Sequence, residues 1–581
     1  MARDLVEQLY ETSLEPERLD ELIAAWDERI GASDPANAIE LRQLAEHDVI
    51  PHLARALTIL DRITLAEAQR VQTVLAGVES AAMVIGASGI VIAANQPAQI
   101  AHGLFPADTI SDASSDPVTL EISDRMNALL ARGPGAETVV SLRSPETDRL
   151  VVLHLRTIEA ERGTRQLLAI SSECIWPERL SELLANAFGL TAAEIGVLRA
   201  ITAGDTVAQI AGRGGRSQGT VRTQIHALLT KTGARNQVEL VRLSNLLLRS
   251  LPSGGASGPE DKRRPILRRR SLLLPDGRHS DVFVFGDPRG RPVLWLQGTL
   301  GLFVPTRSAD ADFRRRRICV LAPIRAGFGA SDPGPEGADV FDLAIADTLV
   351  TLAEFGLDSA LVVAPVDDIR LALTLAHAAP QAVRGIVAIG AGFPIETFAQ
   401  YQRLHAIGRF FRICARHTPQ ALPFAAKAFY AVVRRFGIES MMRKTYAEVA
   451  ADARAFADTE VAEALMSGFT YMMMNGPSAE AAFCSELVRL HEDWPPNLGH
   501  VQCPVLLVHG ENDRNAPLDT VREYCSHYPE WRLVTFPGEG QLIGYARRAE
   551  VIGLIEAELE GADLASARSC AESLKVTSSD G

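Results

Sequence analysis

The stretch SLPSGGASGPEDKRRP (250–265) sets the strongest limit on what this chain can fold into. Its Pro, Gly, Ser and charged residues offer neither an apolar face for a helix nor the alternation of a strand, so it reads as a flexible linker. Separate bodies must form on its two sides. At 581 residues the chain is also too long for one core, given roughly 100–200 residues per domain. Hydrophobic residues make up 47% and charged residues 22%, the balance of ordinary globular domains rather than of a disordered chain.

No apolar run approaches the roughly 20 residues of a bilayer span. The N-terminal stretch MARDLVEQLYETSLEPERLDELIAAW carries acids throughout and has no apolar signal core. The expectation is a cytoplasmic protein without a membrane partner. Its cysteines (Cys174, Cys319, Cys414, Cys484, Cys503, Cys525, Cys570) form no CxxC pair, which argues against a disulfide framework or a zinc site; no metal or cofactor is expected. A net charge of −14 would repel DNA if spread evenly, yet residues 190–248 hold seven Lys or Arg against three acids.

Residues 1–70 are rich in helix formers, with Leu53, Leu57 and Leu60 at helical spacing, and are expected to form a helical entry segment serving as a dimer seam. From Val71 the pattern changes to short strands: AAMVIGASGIVIAANQPAQIAHGLF (81–105), TVVSLRS (138–144), RLVVLHLRTI (149–158) and RQLLAISS (165–172). The apolar strand, the glycine-bearing turn at Gly86–Gly89, the second strand ending at Asn95 and a short helix resemble a PAS domain over 71–175. That resemblance implies an α+β sensory or dimerising module. His102 alone does not make a haem site and reads as a structural histidine.

In LTAAEIGVLRAITAGDTVAQIAGRGGRSQGTVRTQIHALLTKTGARNQVELVRL (190–243), Thr191 and Glu194 form a capping box and Gly204 supplies a tight turn. Ile210-Ala211 end a scaffold helix, and Ser217 caps a recognition helix running to about Lys231. Val221, Ile225 and Leu228 recur at i, i+4 and i+7 and face the core, so Arg222, Thr223 and His226 project from the opposite side. These three are the candidates for base edges: arginine can donate bidentately to guanine, and threonine can touch a thymine methyl. Arg216, Gln218, Thr220 and Lys231 are candidates for phosphate contacts. The segment resembles the LuxR-type helix-turn-helix along its whole length, which implies an all-α domain at 178–248. It departs at Gly214, where the family has an apolar residue, and GRGGR (212–216) is a loose junction. The resemblance implies double-stranded DNA as partner and a homodimer on paired half-sites.

Downstream, RPVLWLQGTLG (291–301), CVLAPIRAGFGASD (319–332) and PVLLVHGENDRNAP (504–517) follow in order. They resemble the oxyanion-loop strand, the next strand with its turn, and the acid-bearing strand of an α/β-hydrolase, here over 266–560. In that family a strand-to-helix turn, G-x-S-x-G, presents the nucleophile. The matching stretch is ALVVAPVDDIRLALTLAHAAP (360–380). Counting forward from Leu361–Val363 and backward from Pro380 puts Val366 at the nucleophile position, with Ala364 and Asp368 where glycines flank it in the family. Valine has no lone pair and forms no acyl-enzyme.

The acid position is kept as Asp513, but the family's histidine corresponds to Gln541 in TFPGEGQLIGY (535–545), and Gln297 replaces the oxyanion-loop histidine. A glutamine amide does not titrate near neutral pH. Asp367 sits one residue late for a carboxylate nucleophile and serves as one only through a register slip. The mostly helical insertion Phe393–Leu498, with Phe410, Phe411, Phe424, Phe429, Tyr430, Met441, Met442, Phe469 and Tyr471–Met474, resembles the lid of the fold. Lid and sheet are expected to enclose an apolar ligand pocket floored by Gln297, Gly298, Val366, Asp367, Asp513 and Gln541.

The expected architecture is multidomain α/β: a helical segment (1–70), a PAS-like α+β domain (71–175), a LuxR-type domain (178–248), a linker (249–265), a hydrolase-fold domain (266–560, lid about 393–498) and a small polar, disordered tail (561–581). The expected function is transcription regulation by a hydrolase fold that binds a small apolar ligand without turning it over, and is not an enzyme. Two rivals stand beside it. One is an active hydrolase with non-standard residues fused to a DNA reader; the other is a hydrolase fold used only as a protein-docking scaffold.

Overall fold

The computed structural model describes residues 2–31, 50–98, 125–171, 176–250 and 268–561, except for 77, 79, 87–90, 96, 127, 144–149, 160–164, 177, 214, 437 and 474–475. The linker from residue 251 onward, the tail beyond Gly561, Gly89, His102, Cys174, Gly214, Met474 and Cys570 lie outside the described residues. The chain divides into two units: Leu65–Arg263, and Met1–Thr64 together with Arg264–Gly581.

In the first unit, strands β1 (Ala82–Ile85), β2 (Val91–Ala94), β3 (Glu137–Arg143), β4 (Leu150–Glu159) and β5 (Arg165–Ser171) form one sheet in the order β2-β1-β5-β4-β3. Every neighbouring pair is antiparallel. Successive residues of a strand face opposite sides, and both sides of β1 are used. Met83 and Ile85 pack with Leu129, Val140 and Leu155, whereas Ala82 and Val84 pack with Val71 and Leu75 of the helix Ile50–Ala76. Asn95 ends β2 and ties down the chain before β1: its Oδ1 accepts from the Ala82 and Ala98 amides at 2.9 and 3.0 Å, and its Nδ2 donates to the Val78 and Ser80 carbonyls at 3.1 and 2.8 Å.

The same unit carries five consecutive helices, Glu178–Phe188, Ala192–Thr202, Val207–Arg213, Gln218–Thr232 and Gln237–Ser250. Their shared core includes Leu180, Leu184, Val197, Leu198, Val221, Leu228 and Leu240. The scaffold helix continues to Arg213, past the Ile210-Ala211 end expected from the sequence.

The second unit is built on an eight-stranded sheet: β6 (Arg268–Leu273), β7 (His279–Gly286), β8 (Arg291–Trp295), β9 (Ile318–Pro323), β10 (Ala360–Pro365), β11 (Val383–Ile389), β12 (Val505–Gly510) and β13 (Arg532–Phe536). The order is β13-β12-β11-β10-β8-β9-β7-β6. β7 runs antiparallel to β6 and β9, and the strands from β9 to β13 are parallel. β9, β10 and β12 are buried at every residue, which explains their unbroken apolar runs: a parallel strand covered on both faces has no solvent side to alternate with. Val363 and Val387 face a core with Phe313, Val551 and Ile552, while Val362 and Ile386 face one with Phe341, Leu371 and Leu375. The sheet is therefore a middle layer between two helical layers.

Between β11 and β12 seven helices, from Phe398–Arg403 to Pro477–His491, make the lid. The N-terminal helices Ala2–Leu14 and Leu19–Gly31 pack on it: Leu9, Leu22, Ile23 and Trp26 share a core with Phe410, Ile413 and Leu422. Trp26 meets Phe410 edge to face at 5.8 Å, and Lys444 pairs with Asp20. The apolar face expected to form a dimer seam is thus buried within its own chain, because the lid offers it an apolar surface. Among the described residues no helix is long and apolar enough to cross a membrane.

Candidate functional site

Both ends of the recognition helix are finished. Ser217 accepts from the Thr220 amide at 3.1 Å, and Gly233 closes the C-terminus in the left-handed region at φ 73°. The helix Ala192–Thr202, which precedes the scaffold helix, starts with a complete capping box, in which the Glu194 amide donates to Thr191 at 3.3 Å and the Thr191 amide donates to Glu194 at 2.7 Å. The scaffold helix has a second reciprocal pair, Thr206 with Gln209, at 3.3 and 2.8 Å. Gly204 turns the chain between them at φ 88°.

With the scaffold fixed, Val221 and Leu228 are fully buried and Ile225 half-buried, while Arg222, Thr223 and His226 stand exposed. Gln218, Arg222 and His226 have no side-chain partner among the described residues. Thr223 Oγ1 donates to the Gly219 carbonyl at 3.1 Å, Thr220 and Ser217 hydroxyls are 2.9 Å apart, and Arg216 reaches Gln224 at 3.4 Å; all remain at the surface. Lys231 requires a correction. Its ammonium donates to Glu194 at 2.8 Å and to the Gly189 carbonyl at 3.0 Å, so it locks two helices together rather than standing free for a phosphate.

The second candidate site lies at the C-terminal end of β10. Val366 follows the strand directly with φ 51°, and the helix Ile369–Ala378 begins after one 3-10 turn. A β-branched residue at positive φ is strained by about 1–3 kcal/mol, and the surrounding structure must enforce it. The apex of this sharp turn bears an isopropyl group, which has no proton to give and no lone pair to attack with.

Each acid around the turn is claimed by a partner. Asp367 is bound by Arg412 from the lid helix Ala406–His417, Nη2 to Oδ1 at 2.8 Å; burial would raise this carboxyl, but Arg412 and His491 outweigh burial and hold it below the ordinary range. Arg412 also donates to the Asn515 carbonyl, so one lid side chain bridges the turn and the loop after β12. Asp368 Oδ2 accepts from the Gly298 amide and from Arg325 Nη1, both at 2.8 Å, and Arg325 also pairs with Glu486 of the lid helix Pro477–His491. Gln297 is buried with its Oε1 on the Arg325 amide at 2.9 Å.

Asp513 caps its own turn, accepting at Oδ1 from the Asn515 and Ala516 amides at 2.7 and 2.9 Å. Its Oδ2 is buried without a partner, and burial pushes the carboxyl up to about 7 against those two amides. A second acid, Asp452 of the lid, accepts from the Gln541 and Leu542 amides at 3.1 and 2.8 Å; burial pushes it up to about 6. The lid also presses on the loop after β8: a Cβ on Gly301 would lie 2.5 Å from the Gly468 carbonyl carbon of the lid helix Thr459–Met473.

The expected pocket floor is consequently divided. Gln297, Gly298, Asp367 and Asp513 belong to the packed polar network, whereas Val366 and Gln541 line a cavity of about 50 Å³. Among the described residues, none from the lid lines that cavity. Its walls come from β8 to β11, from the loop 302–306, from residues 541–545 and from the helices Arg307–Arg315 and Arg548–Glu560. It opens where β8 is followed by a strand on one side and β10 by a strand on the other, the switch point at which open parallel sheets hold ligands.

Residues 189–244 match the family described as bacterial regulatory proteins, luxR family (GerE). This segment is a LuxR-type DNA-binding domain. Similar solved structures include a carboxylesterase of the thaumarchaeon Nitrososphaera gargenis, 16% identical over 50% of this chain and 98% of that one, with a TM-score of 0.38. A thermophilic esterase from Thermogutta terrifontis is 17% identical over 51% of this chain and 98% of that one, TM-score 0.37. 2-Hydroxy-6-oxo-6-phenylhexa-2,4-dienoate hydrolase from Rhodococcus sp. strain RHA1 is 19% identical over 51% and 100%, TM-score 0.34. No curated protein matches the chain. The strand order and the turn at Val366 carry the α/β-hydrolase fold for the second unit.

The sequence missed Arg412, Arg325, Glu486 and Asp452 as members of the hydrolase-fold centre. Asp368 was read only as a lost glycine, although it joins the turn to the Gly298 loop. In the LuxR-type domain the Thr206–Gln209 pair was visible as T-x-x-Q before an apolar run and went unread.

Proposed function

We propose that this chain is a cytoplasmic, ligand-responsive transcriptional regulator whose hydrolase-fold unit binds a small apolar molecule and performs no triad chemistry. The observation that carries the reading is Val366 at the apex of the strand-to-helix turn with φ 51°. The strained geometry that serves a nucleophile is kept while the nucleophile is gone. The LuxR-type domain supports DNA as the partner and transcription as the output. The five-stranded antiparallel sheet supports a PAS-like module in the first unit. Val238 (79% exposed) and Leu246 (58% exposed) on the helix Gln237–Ser250 support a homodimer, since a second copy would cover them.

The helix Ile50–Ala76 contributes side chains to a core of each unit. Leu53, Ala56 and Leu60 belong to the core shared with the lid, and Val71 and Leu75 to the core of the five-stranded sheet. A ligand that favours one arrangement of the hydrolase-fold unit would change the regulator's output, and one that binds all arrangements equally would not.

The docking-scaffold reading has an observation in its favour. Arg412 and the Gly301–Gly468 contact fill the space above the turn with the protein's own atoms. The active-hydrolase reading has less, because Arg412 holds the Asp367 carboxylate. Native and denatured mass spectrometry of the purified full chain separates the first two: a co-purifying small molecule on a dimer supports the receptor, and an empty protein shifts the reading to the scaffold. Turnover of generic esters, measured on the wild type and Val366→Ser, separates the third. No turnover is expected from either, since the serine would have no base; wild-type turnover lost in Asp367→Asn would overturn the non-catalytic reading.

A further inference from the structure

The cavity beside Val366 carries a charge pattern that narrows what it can hold. Trp295, Phe303, Phe313, Val320, Ile389 and Ile552 give it an apolar interior. Pro305, Gln541, Tyr545 and Arg548 are half-exposed, so the one cation of the lining stands on the solvent side. Arg548 pairs with no carboxylate among the described residues, although acids lie close by in sequence. Glu539 and Glu550 are taken by Arg547 at 2.7 and 3.5 Å, and Glu556 is taken by Arg291 and Arg316. Arg548 also begins the 13-residue helix Arg548–Glu560, where unpaired backbone amides add partial positive charge. An apolar cavity with a guanidinium at its rim that no carboxylate claims suits an apolar tail ending in an anion.

We infer that the cavity is a binding site for a short aliphatic carboxylate, with the tail beside Val366 and the carboxylate on Arg548, assisted by the Gln541 amide. A cavity of about 50 Å³ is about a third of the roughly 150 Å³ that accommodates benzene, which limits the tail to about two or three carbons. The inference rests on the receptor reading for its regulatory consequence but not for binding itself. Gln541 then has a use that a histidine would not serve better: its amide donates to a carboxylate at any pH and does not titrate. Val366 likewise contributes wall rather than chemistry.

Hydrogen exchange of the full-length protein tests this with sodium butyrate, with 1-butanol as the neutral probe and butylammonium as the cationic one. Butyrate is expected to slow exchange in segments 302–313 and 541–552, butanol to do so only at much higher concentration, and butylammonium not at all. Arg548→Gln should weaken butyrate at least tenfold and leave butanol unchanged, Arg548→Lys should retain most of the affinity, and Gly544→Val should block both by filling the cavity. Equal responses to butyrate and butanol, or an unaffected Arg548→Gln, would overturn the carboxylate assignment; no protection by any probe would overturn the site. Protection of the cavity with exchange unchanged throughout Leu65–Ser250 would leave the site standing and sink the receptor reading instead.

Discussion

The recognition helix and the turn at Val366 are both devices for presenting a side chain, and they treat their polar groups in opposite ways. On the helix Gln218–Thr232 the caps and core are complete, while Arg222 and His226 stand exposed without a side-chain partner among the described residues. At the turn, Asp367 and Asp368 are buried and each is held by an arginine. A polar group left free on a rigid surface is available to a partner, whereas one buried with a counter-charge holds the fold together. The two scaffolds are equally well made. The difference lies in whether the presented groups are satisfied from within.

The comparison breaks most visibly at Arg325. Arg325→Ala would leave Asp368 and Glu486 buried without their cation, which costs about 3–5 kcal/mol when one partner of a buried pair is removed. Urea unfolding should show that loss in the transition of the hydrolase-fold unit and none in that of the LuxR-type unit. A loss below about 1 kcal/mol would mean the network is ornamental, since that is the range of surface pairs.

Arg222 provides the opposite result. Its truncation removes no internal contact, so thermal unfolding should be unchanged. Affinity for the preferred operator should fall by about 1–3 kcal/mol, roughly five- to 150-fold, with relaxed preference at one base pair. A gel shift in which Arg222→Ala binds every sequence as the wild type does would remove this helix from base reading.

How much of this contrast was legible depended on distance along the chain. β9, β10 and β12 announced themselves as apolar runs because burial on both faces leaves a local signature. The turn at Val366 could be located by counting, since the strand before it and the helix after it have characteristic lengths. The helix caps were local too, three residues from donor to acceptor. The ionic network left no such trace: Arg412 lies 45 residues from Asp367 and Arg325 lies 161 from Glu486. The docking of Trp26 on Phe410 joins still more distant segments. A charge inside an apolar lid helix, as in FFRICAR, was the one available hint that a buried partner was waiting.

Asp513 sharpens the comparison through pH. Its folded carboxyl titrates at about 7, whereas an unfolded aspartate titrates near ~3.9. Between those values the folded protein keeps a proton that the unfolded chain has released, so this group makes stability fall as pH rises from about 4 to about 7. Asp452, at about 6, acts in the same direction. Asp513→Asn keeps the acceptor for the Asn515 and Ala516 amides and removes the ionisation. It should stabilise the protein by about 1–2 kcal/mol at pH 8, after the cost of its own unpartnered amide, with the gain shrinking toward pH 4. A working acid needs a cationic partner to keep it charged; a variant destabilised at pH 8 would mean that Asp513 has one.

Lys231 gives the smallest effect and the finest distinction, because it lies on the DNA-reading side of the comparison yet is satisfied from within. Its ion pair with Glu194 is partly exposed, at 34% for the lysine and 10% for the glutamate, so Lys231→Ala should cost only about 0.5 kcal/mol of stability. If the pair persists on DNA, the salt dependence of operator binding should not change, whereas Arg216→Ala should lower its slope by about one phosphate contact. A slope lowered equally by both variants would show that DNA pulls Lys231 away from Glu194. Satisfaction from within would then be conditional in this half of the molecule, and the line between free and claimed groups would be set by the partner rather than by the fold alone.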